Sequence, residues 1–213
     1  MFVEELSWQG SLFACGPPCV DASFVGVERL WLDDESWVDL APAWLHGADA
    51  LLARLVEHIE WRQRKVTMWG QRLDEPRLTA WWTVDEAGDL PDASLVDAWT
   101  ALSARYERPF DSLGANLYRD GRDSVAWHSD RVGRTSVDPI VAIISLGEAR
   151  PFGLRPKGGG HARTVLPGGG DLLVMGGRCQ HDWEHGVPKV AVAGPRLSLM
   201  FRHGGERPDG DER

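Results

Sequence analysis

Two histidines and one aspartate in the second half of the chain have the residue types of a metal site. His128 and Asp130 are two residues apart, and His185 follows 55 residues beyond the aspartate. Because side chains alternate across a β-strand, His128 and Asp130 project to the same side and can reach one ion. Two imidazoles and one carboxylate cover one face of an octahedral metal and leave the opposite face open, as in non-haem Fe(II) oxygenases. The spacing therefore predicts an iron site with positions free for reactants.

The identity of the distal histidine is left open by spacing alone. His181 and His185 both precede the last strand-like segment of the chain. If they lie on one strand, their separation of four places them on the same face, so either imidazole would reach the ion.

Two arginines near the C-terminus indicate a pocket for a carboxylate beside the metal. Arg196 and Arg202 are six residues apart and point the same way on a strand, whereas Leu197, Leu199 and Phe201 face the opposite side. A planar guanidinium binds a carboxylate through two parallel hydrogen bonds. The pattern predicts a pocket that binds an ion and a dicarboxylate together.

The segments around these residues resemble the signature of the AlkB family of Fe(II)- and 2-oxoglutarate-dependent dealkylases. One segment runs from Asn116 to Asp130, and the other is Pro195-Arg-Leu-Ser-Leu-Met-Phe-Arg202. The resemblance extends over residues 66–202, about two thirds of the chain, while the first 40 residues match nothing that we can name.

Upstream, residues 68–70 and 76–82 resemble the substrate lid of the same family. The chain departs from the family at Trp69 and Trp82, where Tyr is more usual. Because these positions contact substrate in the family, the resemblance implies that Trp69 and Trp82 stack on a base, whereas Trp81 and Trp127 are expected to pack the lid onto the domain.

The resemblance also implies the roles of the site residues. His185 opens a His-Gly-Val-Pro segment similar to the family's distal ligand, so the metal ligands and catalytic residues would be His128, Asp130 and His185. Arg196 would pair with the distal carboxylate of 2-oxoglutarate and Arg202 would lie nearer the metal-bound end. Asn116 and Tyr118 would donate hydrogen bonds to 2-oxoglutarate from a neighbouring strand. The implied cofactors are Fe(II), 2-oxoglutarate and O2.

The implied reaction is oxidative demethylation of N-alkylated bases such as 1-methyladenine and 3-methylcytosine in DNA. It would release formaldehyde, succinate and CO2. A stretch with a local excess of basic residues would hold the flanking phosphates. Its members are Arg62, Arg64, Lys65 and Arg72. The alternative is an oxygenase of the same class that acts on RNA, a protein or a small molecule.

Charge is unevenly distributed along the chain. The formal net charge is −9, which disfavours nucleic acid as a partner, and residues 1–57 alone contribute ten acids against two bases. Residues 60–80 carry five bases against three acids, and residues 150–163 carry four bases and no acid. Positive charge is therefore concentrated in the segments expected to surround the pocket.

Hydrophobic periodicity predicts an α+β, mainly β fold: a double-stranded β-helix, or jelly roll, flanked by N-terminal helices. Helices are expected at residues 42–61, with Pro42 in the first turn, and at 93–106, capped by Asp92. Short apolar strands separated by Gly and Pro follow. They are predicted at 114–119, 124–128, 139–146, 151–155, 163–166, 171–175, 183–187 and 196–202. The expected organisation is an irregular acidic segment (1–40), an oxygenase domain (41–203) and a disordered tail (204–213).

Composition narrows the protein class. No apolar run is long enough to span a membrane, and three cysteines do not form a disulfide framework, so a cytoplasmic monomer is expected. Two other classes compete with the oxygenase: a cupin dioxygenase without 2-oxoglutarate, and a non-catalytic binding protein on an oxygenase scaffold. The cupin would not need the two arginines, and a binding protein would not need the complete metal triad.

Overall fold

The computed structural model describes Leu6 and residues 16–68, 70–130 and 138–204. Trp69 and the expected tail beyond Gly204 lie outside the described residues. The strands of the described part are β1 (Cys19–Val20), β2 (Glu28–Trp31), β3 (Ser36–Ala41), β4 (Leu45–His46), β5 (Lys65–Met68), β6 (Gln71–Asp74), β7 (Leu78–Thr83), β8 (Ser112–Tyr118), β9 (Val125–His128), β10 (Val141–Gly147), β11 (Phe152–Pro156), β12 (Arg163–Val165), β13 (Leu172–Gly177), β14 (Trp183–Val187) and β15 (Arg196–Arg202). The helices are α1 (Ala48–His58), α2 (Leu95–Tyr106) and α3 (Cys179–Asp182), with a 3₁₀ turn at Ala87–Asp89.

Two antiparallel sheets form the jelly roll. The larger sheet has seven strands in the order β2-β3-β13-β10-β15-β8-β7, and the smaller has four in the order β12-β11-β14-β9. Apolar side chains between the sheets form one buried cluster, which includes Ile143, Phe152 and Met200. The chain crosses between sheets several times because neighbours in each sheet are distant in sequence, as expected for a double-stranded β-helix.

Helices α1 and α2 cover the outer face of the larger sheet. Their buried residues, including Leu52 and Leu102, share a second core cluster with Ile144, Leu199 and Phe201 of the sheet. The molecule thus has three layers: helices, the larger sheet and the smaller sheet. None of the helices described is both long and apolar enough to cross a membrane.

All eight strands predicted after residue 110 are confirmed. The last is Arg196–Arg202, with the predicted bounds. The second helix is confirmed as Leu95–Tyr106, although Asp92 does not cap it. Its carboxylate instead accepts hydrogen bonds from Arg54 and Ser94.

Two expectations for the first 60 residues were wrong. The segment before residue 41 is not irregular throughout, because β2 and β3 extend the larger sheet next to β13. The first helix begins at Ala48 rather than near Pro42. Gly47 precedes it with φ of 68°, and a Cβ there would approach the Gly16 carbonyl oxygen to 2.7 Å. Only glycine tolerates this turn, and the chain enters the helix six residues later than the periodicity predicts.

The hairpin β5–β6 lies beside the free edge of the larger sheet. Arg62 pairs with Thr79 of β7 through an isolated bridge, and the backbone N–H of Glu75 donates to the Arg64 carbonyl. The base of the hairpin is also joined to the segment before β9, since Ser124 N–H donates to the Pro76 carbonyl. These contacts fix the hairpin next to the strands that carry the site.

Candidate active site

His128, Asp130 and His185 come together between the two sheets. One ligand atom from each side chain lies within 4.8 Å of the other two. His128 and His185 are directly opposite each other on β9 and β14, so their side chains project to the same face. His181 lies on α3 and is not part of this group.

Each imidazole is prepared to present a nitrogen lone pair. His128 Nδ1 lies 2.9 Å from the Ala126 carbonyl oxygen, which can only accept, so Nδ1 carries the proton and Nε2 is free to bind a metal. His185 stacks on Phe152, with ring centroids 5.4 Å apart. Burial lowers the pKa of His185 to about 3, so its imidazole is neutral at physiological pH.

Asp130 supplies the anionic member of the group. Its side chain is 7% exposed, and Oδ1 accepts a 2.5 Å hydrogen bond from Arg202 Nη2. Burial acts to raise the pKa of this carboxyl, but the positive charge of Arg202 outweighs it and holds the pKa well below its usual range. The other oxygen, Oδ2, lies 3.4 Å from His185 Nε2 and has no hydrogen-bond partner among the described residues.

Arg196 is buried on the face of β15 that also carries Arg202, and most of its N–H donors have no described acceptor. It is 1% exposed, and its Nη2 donates to Ser145 Oγ at 2.9 Å. Its guanidinium lies 5.4 Å from the ring of Tyr118, which is directly opposite on β8. Nε and Nη1 have no partner in the described part of the chain. Burial lowers the pKa of this guanidinium, because it disfavours the charged form.

These unpartnered atoms fit an iron ion and a dicarboxylate. The triad offers two imidazole nitrogens and a carboxylate oxygen, which is the donor set of the 2-histidine-1-carboxylate sites. Arg196 Nε and Nη1 are buried donors that the described residues leave without an acceptor, and a carboxylate is the group that a guanidinium binds best. Arg202 Nε is also buried without a described partner. Asn116 lies on the same sheet face, with its Nδ2 3.5 Å from Met200 Sδ.

The adjacent tryptophans of β7 lie on opposite faces of the larger sheet. Trp82 packs against the core cluster on the helix side of the sheet. Trp81 is opposite Gly114 and lies on the site face, with the Arg202 guanidinium 5.2 Å from its ring centroid. Because neighbouring strand residues face opposite sides, Trp81 rather than Trp82 lies on the face of the triad, and substrate contact by Trp82 stays a prediction.

The basic residues proposed to hold phosphates lie on the hairpin and its base. Lys65 and Arg72 are exposed on β5 and β6, and Lys65 Nζ lies 3.6 Å from Asp74. Arg62 and Arg64 precede β5, and both have partners within the protein. The structure groups all four outside the triad, beyond the edge strand β7.

Two site residues were missed by sequence reasoning. Ser145 holds Arg196, and its only sequence signal is that it is a single polar residue in the apolar run at 140–146. Trp81 was assigned to packing, because the register of β7 against β8 decides which tryptophan faces inward and cannot be read from a Trp-Trp pair.

Comparisons with known proteins agree with this geometry. Residues 40–202 match the family model of the 2OG-Fe(II) oxygenase superfamily. The mouse alpha-ketoglutarate-dependent dioxygenase alkB homolog 3 is 34% identical over 86% of this chain and 68% of its own length. The human protein of that name is 35% identical over 73% of this chain and 61% of its own length. A DNA oxidative demethylase ALKBH2 from Arabidopsis thaliana is 30% identical, over 70% and 59%.

Solved structures support the fold. OsALKBH1 superimposes with a TM-score of 0.56 at 18% identity, over 83% of this chain and 100% of that chain. A 2OG-Fe(II) oxygenase family oxidoreductase from Burkholderia pseudomallei gives 0.51 at 20% identity, over 78% and 84%. With the matched family model and the homologues above, the chain belongs to the AlkB family of Fe(II)- and 2-oxoglutarate-dependent dioxygenases.

Proposed function

We propose that this dioxygenase removes small alkyl groups from ring nitrogens of bases in DNA, with 1-methyladenine and 3-methylcytosine as its first substrates. The products would be the repaired base, formaldehyde, succinate and CO2. The observation that carries this proposal is the arrangement of the site face. It passes from Asp130 to Arg202, then to Trp81 on the edge strand, and beyond that strand to the basic hairpin.

In this proposal the buried polar residues hold the reactants. His128, Asp130 and His185 bind the metal. Arg196 binds the distal carboxylate of 2-oxoglutarate, while Arg202 keeps Asp130 ionised. Asn116 and Tyr118 border the same space from β8, where they would hydrogen-bond to 2-oxoglutarate. Bound Fe(II), 2-oxoglutarate and O2 supply the oxidising power, and the protein supplies orientation and water exclusion.

The edge of the site would select the damaged base. Both lesions block the pairing edge, so they cost less to extrude from a duplex than an intact base. Both also carry positive charge on the ring, and the indole of Trp81 would favour such a cation through its face. Trp69, which lies outside the described residues, remains proposed as a stacking residue.

The hairpin would contact the nucleic acid backbone. Arg62, Arg64, Lys65 and Arg72 would neutralise phosphates that flank the extruded base. Binding should therefore weaken as salt is added. We also propose, as the sequence predicts, that the protein acts as a cytoplasmic monomer.

The direct test is demethylation by the Fe(II)- and 2-oxoglutarate-loaded protein. Single- and double-stranded DNA, RNA and a methylated peptide, each carrying a defined methyl group, are followed by mass loss and formaldehyde release. We expect turnover of both DNA lesions. Turnover should be abolished in His185→Ala and kept in His181→Ala, a matched change four residues away. Demethylation of RNA alone would favour the RNA alternative, and succinate release with the peptide but with neither DNA lesion would exclude DNA repair.

A further inference from the structure

The three side chains of the triad are held by different means. His128 and His185 are partners in the ladder between β9 and β14, so sheet pairing fixes both backbones. Strand β9 ends at His128, and Asp130 lies two residues beyond it. No strand pairing among the described residues reaches Asp130. Side-chain contacts must therefore position this ligand.

One of those contacts comes from Gln180 on α3. Its Oε1 accepts a 2.8 Å hydrogen bond from the backbone N–H of Asp130. Gln180 is 5% exposed, so this bond is shielded from water. The neighbouring Ser129 is joined to the same region, because its Oγ donates to the Trp183 carbonyl at 2.7 Å.

Gln180 is itself held in place. Its backbone carbonyl accepts a 3.0 Å hydrogen bond from Lys157 Nζ. Its Nε2 lies 3.7 Å from Met175 Sδ within the core between the sheets. A buried side chain with both ends fixed is a rigid support, since it has few rotamers to exchange.

We propose that Gln180 is a positioning residue for Asp130, setting the backbone from which this carboxylate reaches the metal. The proposal rests on the assignment of the triad as metal ligands. Gln180 fixes the main chain, and Arg202, from the larger sheet, fixes carboxylate oxygen Oδ1. With both ends held, Oδ2 stays directed at the two imidazoles. Loss of Gln180 removes the described hydrogen bond to the backbone N–H of Asp130, so among the described contacts this backbone is held only through the neighbouring Ser129 and the carboxylate only by Arg202.

Residues that orient metal ligands typically change metal affinity by about 10- to 100-fold when they are replaced. The test is Co(II) binding to the apoprotein. Titration calorimetry measures the dissociation constant, and the visible spectrum of the bound ion reports its coordination. Gln180→Leu removes the acceptor at similar volume, and Gln180→Asn withdraws it by one methylene. We expect both to raise the Co(II) dissociation constant by about 10-fold or more and to alter the spectrum.

Two further variants separate positioning from packing. Gln180→Glu keeps an acceptor oxygen at the same reach and should restore most of the affinity. Gln63→Leu is the matched control, because Gln63 donates to the Glu75 carbonyl at the hairpin base, away from the triad. It should bind Co(II) like the wild type.

The outcomes distinguish this inference from the assignment on which it rests. Wild type that binds no Co(II) would overturn both. Wild-type binding with unchanged affinity and spectrum in folded Gln180→Leu and Gln180→Asn would overturn the positioning role alone. If only the melting temperature falls, Gln180 serves stability and the proposal is also wrong.

Discussion

The two faces of β15 are both buried but differ in how their atoms are satisfied. On the outer face Leu197, Leu199 and Phe201 are completely buried against the layer of helices. On the inner face Arg196 and Arg202 keep buried nitrogens without partners among the described residues. Apolar burial on the outer face stabilises the fold, whereas the unpartnered nitrogens of the inner face bear a desolvation cost that a bound carboxylate would relieve.

This difference separates stability from function on a single strand. Residues of the outer face should affect folding and leave ligand affinity unchanged. Inner-face residues should affect ligand affinity, and some should be more favourable for folding when replaced by apolar side chains. Because side chains alternate along β15, one face of this strand stabilises the fold and the other face lines the site that binds the reactants.

The largest expected effect is on the inner face, for Arg196→Met. Removing the Arg196 guanidinium should weaken 2-oxoglutarate binding to the Mn(II)-loaded protein by about 2–5 kcal/mol, because a buried carboxylate of the cosubstrate loses its charged partner. The apoprotein should be as stable as wild type or more so, since an unbalanced buried charge is replaced by an apolar chain of similar length. Titration calorimetry and urea unfolding measure the two quantities.

Arg29→Met is the matched control for that change. Arg29 lies on β2 of the same sheet but is fully paired, with Nε 2.6 Å from Asp39 Oδ1 and Nη2 2.8 Å from Oδ2. Removing it leaves the buried Asp39 carboxylate without its cation, with the Tyr106 hydroxyl still donating to Oδ2 at 3.1 Å. Stability should therefore fall while 2-oxoglutarate affinity is retained. If Arg196→Met is destabilised as Arg29→Met is, the inner face is not strained in the way proposed.

On the outer face, Leu199→Ala should cost about 3 kcal/mol in the free energy of unfolding, because it leaves a cavity beneath the helices. Metal and 2-oxoglutarate affinity of the folded protein should be unchanged. Leu166→Ala, the same change at a side chain that is 63% exposed, should have little effect on stability. A large loss of cosubstrate affinity in Leu199→Ala, measured far below its melting temperature, would contradict the separation of the faces.

The jelly-roll strands could be predicted because their information is local. Each is a short apolar run bounded by Gly or Pro, and all eight were located from that pattern. The N-terminal strands could not, because β3 is defined by its pairing with β13, which lies more than 130 residues away, and β2 pairs in turn with β3. The position of α1 depended on the close approach of Gly47 to Gly16, a tertiary contact without a local signal.

Site residues could be predicted where they lie on one segment of the chain. They could not be predicted where their position depends on the pairing register of two strands. Arg196 with Arg202 follows from alternation within β15. His128 with Asp130 was predicted from the same alternation, although β9 ends at His128 and Asp130 is held by Gln180 and Arg202. Whether Trp81 or Trp82 faces inward depends on the register between β7 and β8. Ser145 and Gln180 support residues more than 45 positions away, so nothing in their own neighbourhood marks their partners.

The smallest expected effect concerns Asp92, a carboxylate in the layer of helices. Unlike the guanidinium of Arg196, it is paired with an opposite charge. Asp92 Oδ2 accepts from Arg54 Nε at 2.8 Å, and Oδ1 accepts from Ser94 Oγ at 2.6 Å, which ties α1 to the start of α2. Burial acts to raise the pKa of Asp92, but the hydrogen bonds from Arg54 and Ser94 outweigh it and lower the pKa to about 2. The folded protein therefore binds this proton more weakly than the unfolded chain, whose Asp has a pKa near 4. The contribution to stability is complete above about pH 4 and is lost as pH falls towards about 2.

Asp92→Asn should lower the free energy of unfolding by about 1 kcal/mol at neutral pH, and the difference from wild type should shrink on acidification below about pH 4. Urea unfolding of wild type, Asp92→Asn, Arg54→Met and the double variant, repeated across that pH range, isolates the coupling between the two side chains. A coupling energy near zero, or one that does not change with pH, would contradict this prediction. The ion pair of Arg54 with Asp92 would then stabilise the fold no more than the unpartnered guanidinium of Arg196 does.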